Sequence, residues 1–185
     1  MSPGETSFPH RVGRVIRAHG LSGDVLIQLF RPRPIEADQL KYRKEQPVRT
    51  VELCFDDGRE ITMRLVGVRY ASPASLVANL EGVDTRESAE KLIGTFVDVD
   101  PREGPSFLDE ADRVFGALVV DAESGASVGT VEDIRDNGAQ AVLVVGHDEV
   151  LIPWVDAFVE AVEERDGEPV VLIRPIPGLL EANAD

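Results

Sequence analysis

The stretch RAHGLSGDVLIQLF, residues 17–30, decides how this chain is read. A β-rich run, RVGRVIRAHG (11–20), leads into it, and DVLIQLF (24–30) closes it. Between them lie His19-Gly20 and Gly23. In DVLIQLF, Val25, Ile27 and Leu29 share one face of a strand, and Leu26, Gln28 and Phe30 share the other. Two partly apolar faces suit a barrel strand pressed on its neighbours. The upstream run has the composition of a strand but alternates poorly. The glycines admit a catalytic turn, a phosphate cradle or a structural hairpin. HGLSG does not match G-x-G-x-x-G and does not open a helix, so the dinucleotide cradle drops out. Gly20 and Gly23 permit a reversal between barrel strands. His19 is either part of that turn or an exposed contact beside it.

The same logic extends outward. TVELCFDDGREITMRLVGV (50–68) is two β-rich runs about Asp56-Asp57-Gly58, which predicts a hairpin. VDTRESAEKLIG (83–94) then changes period: Ala89, Leu92 and Ile93 fall at helical spacing. Asp84 is placed to cap, Glu87 to complete a capping box and Gly94 to stop the helix. TFVDVD (95–100) returns to strand, and the first half reads as a small barrel braced by a helix over 84–93. DVDPREGPSF (98–107) has the prolines, glycine and charges of an exposed joint. Beyond it, GALVVD predicts a strand. VGTVEDIRDNGAQAVLVVG predicts a hairpin at Asn137-Gly138, and FVEAVEERDGEPVVLIRP another at Asp166-Gly167. A single helical turn is expected near 154–158. The expected architecture is all-β with minor α: two small β-barrels, over 9–99 and 107–183, joined by a short linker at 100–106.

Bulk properties narrow the class. The 185 residues suffice for two small cores, and 43% hydrophobic with 29% charged residues suits a soluble globular protein. No apolar run approaches the roughly 20 residues of a membrane span. MSPGETSFPH lacks the basic start and apolar centre of a signal peptide and reads as a short disordered leader. The single cysteine, Cys54, excludes an internal disulfide and fits a reducing compartment, so a cytoplasmic location is expected. Residues 1–100 hold 14 basic and 15 acidic side chains, whereas residues 101–185 hold 5 and 19. The net charge of −15 thus sits almost wholly in the second half. Such a surface repels phosphate backbones and attracts basic proteins, or it serves only to keep a small domain soluble.

Catalytic patterns are missing. His10, His19 and His147 lack metal-ligand spacing, and Cys54 has no Cys-His-Asn surroundings. Asp56 and Asp57 are adjacent and suit a turn better than an acid–base pair. GASVGT lacks the lysine of a phosphate-binding loop, and DAESGASVG lacks the full calcium-binding ladder. No catalytic residue, metal site or cofactor is expected. Binding surfaces are better supported. RPRPIEADQLKYRK (31–44) gathers Arg31, Arg33, Lys41, Arg43 and Lys44 about a loop that Pro32 and Pro34 keep out of regular structure. It is either a phosphate contact or a solvated loop. Trp154, the sole tryptophan, is either core or an anchor for a basic partner, as is Phe107 after the joint.

Five segments also carry a resemblance. VGRVIRAHGLSGDVLI, LEGVDTRESAEKLIGTFVDVD, GTVEDIRDNGAQAVLVV, VLIPWVDAFV and IRPIPGLLE resemble, in order, the ribosome maturation factor RimM family. They run from about residue 11 to 181. The resemblance implies a PRC-type barrel for the second domain. It also implies a non-enzymatic assembly factor acting as a chaperone for the small (30S) ribosomal subunit. Such a factor docks on small-subunit ribosomal protein nineteen in the head and promotes 16S rRNA folding and processing. In the family the second domain carries most of that contact. A paired tyrosine after the linker is tied to ribosome binding there, and Phe107-Leu108 are its nearest counterparts, without the hydroxyls. The expected protein contacts are therefore Phe107, Leu108 and Trp154. The expected rRNA contacts are His19, Arg31, Arg33, Lys41, Arg43 and Lys44. A monomer free of membrane is expected. The rival readings are an RNA-binding module resembling a translation factor, acting through the first barrel, and an enzyme with a PRC-like regulatory domain.

Overall fold

A computed structural model describes residues 10–33, 35, 37–102 and 106–174. The expected leader, Pro34, the middle of the linker (103–105) and the end of the second domain (175–183) lie outside the described residues. The chain divides into two compact units after Leu108. The expected boundary, with the second domain opening at Phe107, is therefore two residues early.

The first unit is a closed barrel of six strands. These are β1 (His10–His19), β2 (Asp24–Leu29), β3 (Arg43–Cys54), β4 (Glu60–Ser72), β5 (Ser75–Leu80) and β6 (Phe96–Val99). Their order round the barrel is β1-β2-β5-β4-β3-β6, every pairing antiparallel. Strand β2 behaves as its pattern predicts, with Val25, Ile27 and Leu29 in the core. Strand β1 does not alternate because its ladder shifts register twice, between Arg11 and Gly13 and between Val15 and Arg17. Each bulge reverses the phase of a period-two strand. The core positions consequently fall every third residue, at Val12, Val15 and Ala18.

Gly20 and Gly23 form the β1–β2 reversal, with φ of +70° and +86°. Gly23 also meets the chain ahead of the helix, where an added Cβ would lie 2.0 Å from the Val83 carbonyl oxygen. The opening glycines are structural. The β3–β4 hairpin turns where expected. The helix, α1 (Arg86–Glu90), is shorter than 84–93, and its cap differs. Thr85, not Asp84, accepts from the Ser88 N–H, and the Ser88 hydroxyl in turn accepts from the Thr85 N–H. Ala89 and Leu92 reach the core, whereas Ile93 stays half exposed.

The second unit is a six-stranded sheet. Its strands are β7 (Leu118–Asp121), β8 (Ser127–Asp136), β9 (Ala141–Val145), β10 (Val150–Pro153), β11 (Val159–Arg165) and β12 (Glu168–Ile173). The order is β10-β9-β8-β7-β12-β11, and only β12–β7 is parallel. Both edge strands share one core: Val150 and Ile152 of β10 and Val159 of β11 pack with Leu143, Val145 and Val171. The sheet is thus barrel-like, its edges joined by chain rather than by a ladder. Hairpins β8–β9 and β11–β12 turn at Asn137-Gly138 and Asp166-Gly167 as expected. The helical turn expected near 154–158 is present as a single hydrogen-bonded turn, with Phe158 and Val159 N–H donating to the Val155 carbonyl.

Candidate interaction surfaces

The basic stretch 31–44 is not the open loop its prolines suggest. A 3₁₀ turn spans Ala37–Leu40, and Arg43 and Lys44 already belong to β3. Arg31 and Arg33 are only 7% and 3% exposed. Arg33 donates from Nη1 to the Arg31 carbonyl at 2.7 Å, and its backbone N–H donates to Pro73. Both side chains are buried, which corrects their expected role as phosphate contacts. Lys41, Arg43 and Lys44 are exposed, with Arg43 paired to Asp38.

His19 ends β1, half buried. Its Nε2 lies 3.1 Å from Arg69 Nη2. A guanidinium can only donate, so in this contact Nε2 is the acceptor. Arg69 belongs to β4, so the pair reaches over β2 and β5, the two strands between.

Phe107 and Leu108 are 3% and 5% exposed and belong to the first unit's core. Tyr70 donates its hydroxyl to the Phe107 carbonyl at 2.9 Å. Ser106 donates its N–H and hydroxyl to Glu45, itself buried. The segment after the linker therefore plugs the first barrel. That burial removes both side chains from any contact surface, a correction to the expected docking role. The physical reason is area: a phenylalanine and a leucine gain about 1.5–3 kcal/mol each on burial in a core.

Trp154 is where the second unit opens. It packs half buried against the core and lines a groove of about 420 Å³ with Glu110, Arg113, Val114, Val162 and Pro169. Pro169 pairs with Glu164 across the β11–β12 ladder, and Glu160, Glu163 and Glu164 are exposed along β11. The apolar floor of Val114, Trp154, Val162 and Pro169 accepts the stem of a long side chain; the lining also holds Glu110 and Arg113, and Glu160 and Glu163 pair with Arg174 and Arg165.

Cys54 lies in a polar network outside the first barrel. Glu52, Cys54 and Asp98 are buried and bring their ligand atoms within 4.8 Å of one another. The chemistry does not favour a metal. Arg11 grips Asp98 through Nε at 2.8 Å and Nη2 at 3.0 Å, neutralising the carboxylate. Burial and the Asp98 hydrogen bond push the Cys54 thiol up to about 12. The thiol is therefore a proton donor to Asp98, at 3.1 Å, rather than a thiolate ligand.

One surface escaped the sequence reading. The bulges that send Val12, Val15 and Ala18 inward leave Arg11, Arg14 and Arg17 outward. Arg11 and Arg14 lie over the Phe96 ring, 4.4 and 5.0 Å from its centroid. Phe30 stands 6.2 Å from the same ring. The missed signal was the threefold spacing R-V-G-R-V-I-R itself, which is not the period of a regular strand.

Family comparison accounts for the two-unit plan. The RimM N-terminal domain matches residues 10–103, and the RimM PRC barrel domain matches residues 112–171. The chain belongs to the RimM family. A ribosome maturation factor RimM from Cutibacterium acnes (strain DSM 16379 / KPA171202) is 37% identical over 179 residues, spanning 94% of this chain and 93% of that protein. A crystal structure of a 16S ribosomal RNA processing protein RimM from Pseudomonas aeruginosa is 22% identical, with a TM-score of 0.41. It covers 91% of this chain and 98% of its own. The RimM PRC barrel match begins beyond Leu108, in accord with a second unit that excludes Phe107. Among the described residues no helix is long and apolar enough to cross a membrane.

Proposed function

We propose that this RimM-family chain is a non-catalytic maturation factor of the small ribosomal subunit, promoting the folding and processing of 16S rRNA. The observation that carries this is the 37% identity to a ribosome maturation factor over nearly the whole of both chains. In this reading the second unit docks on small-subunit ribosomal protein nineteen in the cytoplasm. Its acidic charge steers the basic partner, and the Trp154 groove holds one cationic or apolar side chain. The factor acts by binding one rRNA–protein arrangement better than its competitors, which shifts the population toward it. A reading centred on the loop 31–44 has less support, because two of its five cations are buried.

The test is calorimetric titration of the full chain with purified small-subunit ribosomal protein nineteen at low and at physiological salt. Binding should weaken with salt, since the Debye length is about 8 Å at physiological ionic strength. Trp154→Ala should weaken it about thirtyfold, the effect of an anchor worth about 2 kcal/mol. No binding, while the chain still sediments with immature small subunits, would overturn the docking assignment.

A further inference from the structure

We propose that the outer face of β1, with the aromatic pair beside it, is a track for single-stranded ribosomal RNA. This rests on the reading of the chain as a factor acting on 16S rRNA, and it assigns the first unit's part in that action. A regular strand would split Arg11, Arg14 and Arg17 between core and solvent. Two bulges place all three outward, in a row roughly 20 Å long at about 3.3 Å per residue. Arginine forks match phosphate oxygens in pairs. The carboxylates near the row are few. Asp98 lies under Arg11 with both oxygens engaged, and Asp56 contacts Arg14 at 3.3 Å. Among the described residues, Arg17 makes no ion pair with a carboxylate. Beside the row, Phe30 is 54% exposed and tilted 55° to Phe96, whose ring the two arginines overlie. Cations along a backbone path with an open aromatic next to them form the arrangement that binds unpaired nucleotides by charge and base stacking.

The experiment is fluorescence anisotropy of the full chain with a fluorescein-labelled single-stranded RNA oligonucleotide of mixed sequence, over a salt series. With Arg11 already neutralised by Asp98, two phosphates met by Arg14 and Arg17 on a single strand give a slope of log affinity against log salt near −1.4, at about 0.7 per phosphate. Arg17→Ala should flatten that slope by about 0.7. Phe30→Ala should weaken binding about tenfold at unchanged slope, and Phe30→Tyr should restore it. Among the described residues neither side chain makes a hydrogen bond, and thermal melts of the variants should match the parent. The proposal is overturned if the oligonucleotide does not bind. It is equally overturned if Lys41→Ala and Lys44→Ala abolish binding while the Arg17 and Phe30 variants leave it intact. Sedimentation with immature small subunits, run in parallel, separates the two levels. Retained sedimentation without oligonucleotide binding removes the track alone; loss of both removes the proposed function as well.

Discussion

At the scale of the residue, Cys54 shows how neighbours set chemistry. From the sequence it was a small buried side chain, and burial is what the structure gives it. Its hydrogen bond to Asp98 was not readable, because Asp98 is 44 residues away and meets it only across the β3–β6 ladder. The consequence is measurable. A thiol near 12 in the native state, against 9.0 as its ordinary value, keeps its proton while the unfolded chain loses one. Stability from this group is fully present below pH 9 and declines as pH rises from 9 toward 12. The slope is about 1.4 kcal/mol per pH unit once the unfolded thiol is ionised. Urea unfolding between pH 8 and 11 should show the parent losing stability faster than Cys54→Ala, with the difference opening above pH 9. Parallel curves for the two proteins would remove the thiol from the pH response.

At the scale of the element, legibility followed the period of the pattern. Hairpins β3–β4, β8–β9 and β11–β12 were readable because their turn residues are local and their strands long enough to pair. Strand β1 was only half readable, since bulges are a response to neighbours on both sides rather than to the strand's own residues. For α1 the helix was predicted and its cap misplaced by one residue. Asp84 and Thr85 are both good caps, and the choice rests on which backbone is extended at that point; Thr85 is, with ψ of 153°. Thr85→Ala should cost about 1 kcal/mol in urea unfolding of the first unit, and Asp84→Ala much less. The reverse order would return the cap to Asp84.

At the scale of the whole molecule, the boundary between units carries the main surprise. The proline- and glycine-containing joint was found from composition, but Phe107 and Leu108 belong before it in packing, not after it. Phe107→Ala should destabilise the first unit by about 3–5 kcal/mol. Because Trp154 is the sole tryptophan and lies in the second unit, fluorescence follows that unit while circular dichroism follows both. The substitution should move the dichroism transition of the first unit to lower urea and leave the fluorescence transition in place. A shift in fluorescence alone would put Phe107 in the second unit. The acidic imbalance was legible in full, as was Trp154 as a residue with two possible roles. Its place on a groove needed β11 and β12, whose Val162 and Pro169 form the opposite wall.

The sequence by itself determined a mostly β chain in two parts, the positions of its tight turns, the helix ahead of β6 and the charge of its second half. These are local or additive properties, carried by period, turn residues and composition. Only the tertiary structure decided which arginines face water, which aromatics fill a core and where the first unit ends. Those outcomes depend on pairings between strands far apart in the chain. A bulge against β6 or the Tyr70 hydrogen bond to the Phe107 carbonyl exists only once the partner strands are in place. Arg31 and Arg33 on one side, and Arg14 and Arg17 on the other, are alike as sequence. They separate because Arg31 and Arg33 are buried, Arg33 bonding to Arg31 and Pro73, while the bulges of β1 turn the second pair outward.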